Sequence, residues 1–365
     1  MLIERFERLA PICPACRMRG AEEPLRIAAV EVERSDDVEA GILACAACGT
    51  EYPILDGVPV IVPDLSRYVQ DNLFYLLIRG ELPAGVAGLI GDVAGPGNAY
   101  DVIRQHLSCY VWDHWADQDP AEATAGDPGA PRPGAIVRAV ASGLDLLGSG
   151  LPEGPVLDIG CGTGRSVVEL AARTGREVLG IDLSVPLARF ARDAIGRRRV
   201  AYDRRRLGLA YERRRFDIGL AWPAGSAEIW QCDLLALPFR HDSFALAAGF
   251  NVLDNLADPR AGLAAMEAVL RPGGGAVLCA PFDWSANVTP PAAWLGGLSR
   301  GGSGPEPALA GLLAEGGALH EIRTRDIPWH VRLHDRSHVC YRSHLATARR
   351  RGAPEDTLPS GRAQA

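Results

Sequence analysis

The run VLDIGCGTGRSVVELAART (156–174) constrains the fold more than any other stretch of the chain. An apolar strand-like segment ends in a turn with glycine at 160, 162 and 164, and a helical segment follows at once. Glycines at such a junction permit positive φ and let backbone approach a ligand closely, while the helix N-terminus beyond them favours an anionic group. The spacing GxGxG, with Asp158 two residues ahead, departs from the dinucleotide pattern GxGxxG.

The same alternation of strand and helix recurs through 151–350, in EVLGIDL, EIWQCDL, FALAAGF and GGAVLCAPF. It predicts an α/β fold, a mostly parallel sheet covered by helices. EVLGIDLS ends a second strand at Asp182, placed to meet ribose hydroxyls. QCDLLALPF ends a third at Asp233, where an adenine amino group would be met.

These three strand ends, continued by FALAAGFNVLDNLADPRAGLAAMEAVLRPGGGAVL, resemble the class I S-adenosylmethionine-dependent methyltransferases of the type-11 kind over roughly 154–282. The resemblance implies a Rossmann-like seven-stranded sheet. It assigns the cofactor's methionine end to Gly160, Gly162 and Gly164 beside Asp158, the ribose to Asp182, and the adenine to Asp233 with Leu234. Asn251, just past the fourth strand, falls near the methyl group. Many relatives carry a Glu-His pair where this chain has Asp254 and Asn255, so a catalytic role is not carried over there. Capping of the helix that follows is the plainer reading of Asp254.

Ahead of this domain the chain reads as a ribbon over 1–64, a helical bridge or lid with a linker over 65–150, and after it a disordered tail over 351–365. Within 65–150, the Gly/Pro/Ala stretch 121–134 cannot hold regular structure. The ribbon contains Cys13-Pro-Ala-Cys16 and Cys45-Ala-Ala-Cys48, two CxxC knuckles separated by 28 residues. Four thiolates so paired suit tetrahedral zinc, and a site closed by four protein ligands is structural. The segment CAACGTEYPILDGVPVIVPD resembles the zinc-ribbon activator subunit shared by tRNA, ribosomal-RNA and release-factor methyltransferases, which acts by holding a methyltransferase partner. Here that partner would follow on the same chain, which implies an intramolecular contact between ribbon and methyltransferase domain. The other five cysteines are expected to pack in the core.

Two further segments should build the acceptor side. CYVWDHWAD (109–117) puts Tyr110, His114 and Trp115 near one face of a helix. In similar methyltransferases a helix before the core folds over the cofactor as a lid; burial in an interdomain contact is the alternative. PFDWSANVTPPAAWLGG (281–297) follows the fifth strand, where ligands of open α/β sheets sit, so Asp283 and Trp284 are well placed. Its Asp-Trp, Thr-Pro and Trp-x-Gly-Gly positions resemble the methyltransferase domain that N-methylates 4-mercaptohistidine in ovothiol synthesis. That points to a small acceptor with an imidazole or amino-acid-like nitrogen. Five of the eight histidines fall in the C-terminal stretch 320–344, in alternation that suits strand faces better than a metal site.

Charge sharpens the partner question. The chain has 38 basic against 45 acidic residues, and every basic residue is arginine. Without lysine, Schiff-base, pyridoxal-phosphate and Walker-lysine chemistry are excluded. The net −7 resolves into −6 over 1–64 (6 arginines, 12 acids) and +8 over 189–215 (11 arginines, 3 acids). The basic segment carries a nine-residue repeat, AYDRRR at 201–206 and AYERRR at 210–215. It would hold an RNA backbone or pair with acidic parts of the protein itself. An RNA methyltransferase and a non-catalytic cofactor-binding scaffold therefore stand as alternatives to a small-molecule methyltransferase. The opening MLIERFERLAP does not read as a leader, and no run nears the ~18 apolar residues of a membrane span, so a cytoplasmic protein is expected.

Overall fold

The structure, a computed structural model, describes residues 1–77, 82–122, 130–296, 304–315 and 318–352. Residues 123–129 of the expected linker, 353–365 of the expected tail, and Gly297 lie outside the described residues.

The N-terminal part contains α1 (Ile3–Leu9), α2 (Pro14–Arg17) and four antiparallel strands, β1 (Leu25–Arg34), β2 (Asp37–Cys45), β3 (Glu51–Leu55) and β4 (Val58–Ile61). Three helices follow, α3 (Leu65–Leu77), α4 (Ala84–Ala94) and α5 (Ala99–Trp115), then α6 (Ala135–Leu147). The α/β part runs β5 (Val156–Ile159), α7 (Arg165–Thr174), β6 (Val178–Ile181), α8 (Val185–Arg197), β7 (Arg199–Leu207), β8 (Ala210–Asp217), β9 (Ala227–Cys232), β10 (Phe244–Phe250), α9 (Pro259–Val269), β11 (Leu270–Ala280), α10 (Pro305–Ala314), β12 (Leu319–His334) and β13 (Ser337–Arg350).

Seven strands form the expected Rossmann-like sheet in the order β9-β6-β5-β10-β11-β13-β12, all running in one sense except β13, which is antiparallel to both β11 and β12. Strands β5, β6, β9 and β10 are buried along their whole length, as sheets covered on both faces require. The order reverses between β5 and β10, which opens a crevice at the carboxyl ends of those strands.

The sheet is longer than seven strands. Ribbon strand β4 pairs in parallel with β9, Val60 opposite Gln231 and Ile61 opposite Cys232, so β1–β4 extend it to eleven. Ribbon and α/β part share one core in which Phe6 packs on Trp230 with ring centroids 6.3 Å apart. Arg5, 2% exposed, lies 3.4 Å from the buried Glu228 of β9. From α8, Arg192 pairs with Asp37 and Arg189 with Asp56 at 3.2 Å.

The arginine-rich repeat forms the separate hairpin β7–β8, Ala201 opposite Arg215 and Arg204 opposite Glu212. Most of its arginines meet carboxylates of the same chain, while Arg205 donates to Gln105 Oε1 and Gly208 O. Arg204 pairs with Glu122 at 2.5 Å and Asp335 at 2.7 Å, Arg206 with Asp335, Arg213 with Asp203 at 2.5 Å and Arg214 with Asp119. Asp335 lies in the turn of the β12–β13 hairpin, so the two hairpins are tied at their tips. Among the described residues no helix is long and apolar enough to cross a membrane.

Candidate functional site

A cavity of about 530 Å³ opens over the carboxyl ends of β5, β6, β9 and β10, within the size range of small-molecule sites. The glycine turn forms its floor. Gly160, at φ +65°, lines the cavity, and a Cβ there would stand 2.6 Å from Val252 Cγ2. Gly162, at φ +54°, brings backbone so near α5 that a Cβ would meet His114 Cε1 at 2.9 Å. Gly164, at φ +86°, does not line the cavity; it lets α7 close on Ala191 of α8. Asp158 also lies beneath the turn rather than in the cavity wall. Fully buried, it accepts a hydrogen bond from Ser166 Oγ at 2.5 Å, and burial pushes its carboxyl up to about 7.

Asp182 does line the cavity, held by two backbone donors: Gly162 N–H to Oδ2 at 2.9 Å and Ser184 N–H to Oδ1 at 2.8 Å. Asp233 and Leu234 follow at the end of β9; the Asp233 side chain accepts from Leu235 N–H at 2.9 Å. These residues form one wall. Along it lie Asp182 and Asp233 at the ends of the next two strands, Gly160, whose absent Cβ leaves room, and apolar Leu187 and Leu234. That donor and shape set fits a nucleoside with a charged amino-acid end.

The opposite wall comes from β10, β11 and the C-terminal hairpin. Asn251 follows β10 at φ +54°, its N–H donating to Cys279 O at 2.7 Å, and its buried Oδ1 has no partner among the described residues. Asp254, 2% exposed, accepts from the backbone N–H of Asp283 at 2.8 Å through Oδ2, while Oδ1 has no partner among the described residues. It does not cap a helix: Asp258 caps α9, accepting from Ala261 N–H at 3.0 Å. Burial raises the Asp254 carboxyl above its ordinary range, and the neighbouring Asp283 acts the same way. Asp283 lines the cavity mouth and accepts from Tyr341 Oη at 2.8 Å. Trp284 does not line it; the ring stacks with Trp294, centroids 6.4 Å apart.

Helix α5 is the roof. Its N-terminus is fixed by Asn98, which accepts from the N–H groups of Tyr100 and Asp101. Its last turns direct Tyr110, Asp113 and His114 toward the cavity. Trp115 instead anchors the helix, donating Nε1–H to Thr163 O at 3.0 Å beneath the Arg165 guanidinium. Burial, with Arg165 nearby, lowers His114 to about 3, so the imidazole is neutral. Burial raises Asp113 to about 8 against the pull of Trp329 Nε1–H, which donates to its Oδ1 at 2.8 Å.

The structure thus brings together Gly160, Asp182, Asp233, Leu234, Asn251, Asp283, Tyr110 and His114, and leaves Asp158, Gly162, Gly164 and Trp284 outside the cavity wall. Sequence reasoning missed Asp113, Trp329 and Tyr341. The last two are cross-strand partners where the β12–β13 hairpin runs past the end of β11, which pairs only as far as His344.

In the ribbon, the Sγ atoms of Cys13, Cys16, Cys45 and Cys48 lie within 4.8 Å of one another. Cys13–Cys48 and Cys16–Cys45 are each 3.7 Å apart. Sulfurs bonded to one tetrahedral zinc at ~2.3 Å stand roughly 3.8 Å apart, so the donor set fits that ion. Of the other cysteines, Cys161, Cys232 and Cys279 are buried as expected, whereas Cys109 on α5 is half-buried and Cys340 on β13 is exposed. Cys340 groups with His330 and His338. His330 Nδ1 already accepts the N–H of Arg132 at 3.0 Å, which leaves that ring's free lone pair occupied.

Part of the chain is similar to known proteins. A methyltransferase-domain family matches residues 157–278. The O-methyltransferase cnsE of Penicillium expansum is 32% identical over 123 residues, 34% of this chain and 36% of that protein. The demethylmenaquinone methyltransferase of Clavibacter sepedonicus is 34% identical over 125 residues, 34% of this chain and 40% of that protein. The chain therefore spans about two fifths or less of the length of these curated relatives. A solved structure described as converting a disulfide bond into a thioacetal group during echinomycin biosynthesis shares 23% identity, covering 62% of this chain and 84% of that one, with a TM-score of 0.39. Over β5 to β11 the chain is thus similar to methyltransferase domains.

Proposed function

We propose that the chain transfers a methyl group from S-adenosylmethionine to a small-molecule acceptor, with an imidazole or amino-acid-like nitrogen as the receiving atom. The observation that carries this is one cavity with two chemically distinct walls. One holds Gly160, Asp182 and Asp233; the other holds Asn251, Asp254, Asp283 and the aromatic hairpin residues. When bound, S-adenosylmethionine supplies an electrophilic methyl, whose carbon–sulfur electron pair returns to sulfur as the acceptor's lone pair forms the new bond.

The chain's own residues do the rest by alignment and exclusion of water. Asp182, pre-oriented by two N–H groups, receives the ribose hydroxyls, and Asp233 receives the adenine amino group. Tyr110 and His114 on α5 cover the centre of the cavity and shield it from solvent. The neutral His114 adds no positive charge beside a sulfonium.

The four converging thiols support a structural zinc, which would tie α2 to the β2–β3 turn and leave no open position for catalysis. The RNA alternative lacks support, because the hairpin that would hold a phosphate backbone is engaged by Glu122, Asp335, Asp203 and Asp119 of the same chain. Calorimetry with S-adenosylhomocysteine tests the proposal. Binding that is weakened by Asp182→Ala and by Asp233→Ala is expected; no binding, or both variants matching wild type, overturns it.

A further inference from the structure

The acceptor half of the cavity is one-sided in charge. The chain carries 38 arginines, yet none lines this cavity among the described residues. Arg204, Arg206, Arg213 and Arg214 are turned into carboxylate pairs on the outer hairpin, and Arg165 is held at 2.9 Å by Asp117 and 2.7 Å by Glu169. What faces the acceptor instead is a set of hydrogen-bond acceptors. Asp254 Oδ1 and Asn251 Oδ1 are buried and without partners among the described residues, and both residues line the cavity. Asp283 stands at the mouth, its carboxylate aligned by Tyr341 Oη.

A buried carboxylate oxygen with no donor is costly unless a ligand supplies one. Asp254 meets that condition: its other oxygen is fixed by Asp283 N–H, so the free one cannot turn away without breaking that bond. The aromatic surfaces of Tyr110, Trp329 and Tyr341 border the same space, and rings of this kind receive flat apolar groups and cations. An incoming anion would meet carboxylates on both walls and no counter-charge; an incoming cation would satisfy the orphaned oxygens.

We propose that the methyl acceptor is a small aromatic or heteroaromatic amine whose ammonium or ring N–H is received by Asp254 and Asn251, and that Asp254 turns away acceptors bearing only negative charge. This deepens the methyltransferase reading and rests on it. It places the positive group at Asp254 and leaves the nucleophilic atom of the same molecule to face the methyl.

The test is calorimetry on the full chain loaded with S-adenosylhomocysteine, using two matched pairs: tyramine against 4-hydroxyphenylacetate, and histamine against imidazole-4-acetate. At least one amine is expected to bind, about tenfold or more tighter than its carboxylate partner, and Asp254→Asn is expected to erase most of that preference. Binding of S-adenosylhomocysteine is the folding control for the variant. Should Asp254→Asn fail it, Asn251→Gly, which suits the positive φ and removes the second unpartnered oxygen, takes its place and is expected to weaken binding of the amine more than that of its carboxylate partner. Equal binding of both members, tighter binding of a carboxylate, binding of neither amine, or a preference that survives the substitution overturns the proposal. Failure of S-adenosylhomocysteine itself to bind overturns the methyltransferase reading instead, so the two failures are distinguishable.

Discussion

Gly160→Ala probes the site and the fold together. At φ +65° a Cβ would lie 2.6 Å from Val252 Cγ2 and 2.9 Å from Val252 Cβ, on a side chain fixed between the glycine turn and Gly249. The left-handed backbone costs an L-residue about 1–2 kcal/mol, and forcing a methyl into packed space costs about 1–3 kcal/mol, so a loss of about 2–5 kcal/mol is expected. Gly175 supplies the control. It ends α7 at φ +66°, and a Cβ added there would meet nothing within 4 Å, so Gly175→Ala should lose only the conformational part, about 1–2 kcal/mol. Urea unfolding followed by tryptophan fluorescence reads both, with the slopes held to a common value. S-adenosylhomocysteine affinity should fall for Gly160→Ala and stay at the wild-type value for Gly175→Ala. Equal destabilisation by the two variants, or unchanged affinity in Gly160→Ala, would refute the packing argument.

Metal analysis of freshly purified protein should give one zinc per chain, lost in Cys16→Ser together with stability; a metal-free wild type contradicts the ribbon site. Asp113 gives a pH dependence. Its folded carboxyl titrates at about 8 and an unfolded one near 3.9, so its contribution is full below about pH 4 and is lost as pH rises toward and through 8. Asp113→Asn, which can still accept from Trp329, should therefore gain on wild type by up to about 1.4 kcal/mol per pH unit across that window; unfolding curves from pH 5 to 8 that stay parallel would contradict this. Arg214→Met strands the Asp119 carboxylate, which is 2% exposed, and should cost about 3 kcal/mol in urea unfolding. Adding Asp119→Asn should recover part of the loss.

What could be read from the sequence was local. VLDIGCGTGR encodes its own turn, because three glycines at alternating positions leave the backbone few other courses, and Asp182 and Asp233 are read from the ends of buried strands. The paired cysteines are likewise legible, since a CxxC turn is self-contained. The remainder depends on pairing between distant segments. That Val60 lies beside Gln231 follows from docking of the ribbon on β9, which no local pattern records. Trp329 and Tyr341 reach the cavity only because β12 and β13 stay paired beyond the last partner on β11. Asp254 reads as a cap from its neighbours; its partner, the N–H of Asp283, lies 29 residues on. The +8 of 189–215 leaves an RNA backbone and the protein's own acids both open as partners until the hairpin is seen against Asp335 and Glu122. Trp284 shows the reverse failure: its position after β11 is right, but stacking on Trp294 turns the ring away.

The central claim is that the two walls of this cavity hold cofactor and acceptor side by side. A crystal structure of the S-adenosylmethionine complex tests it most directly. The ribose should lie at Asp182, the adenine at Asp233, and the methyl should face the space bounded by Tyr110, Asn251 and Asp254. Density for the cofactor elsewhere, or a methyl directed away from Asp254 toward bulk solvent, would contradict the account.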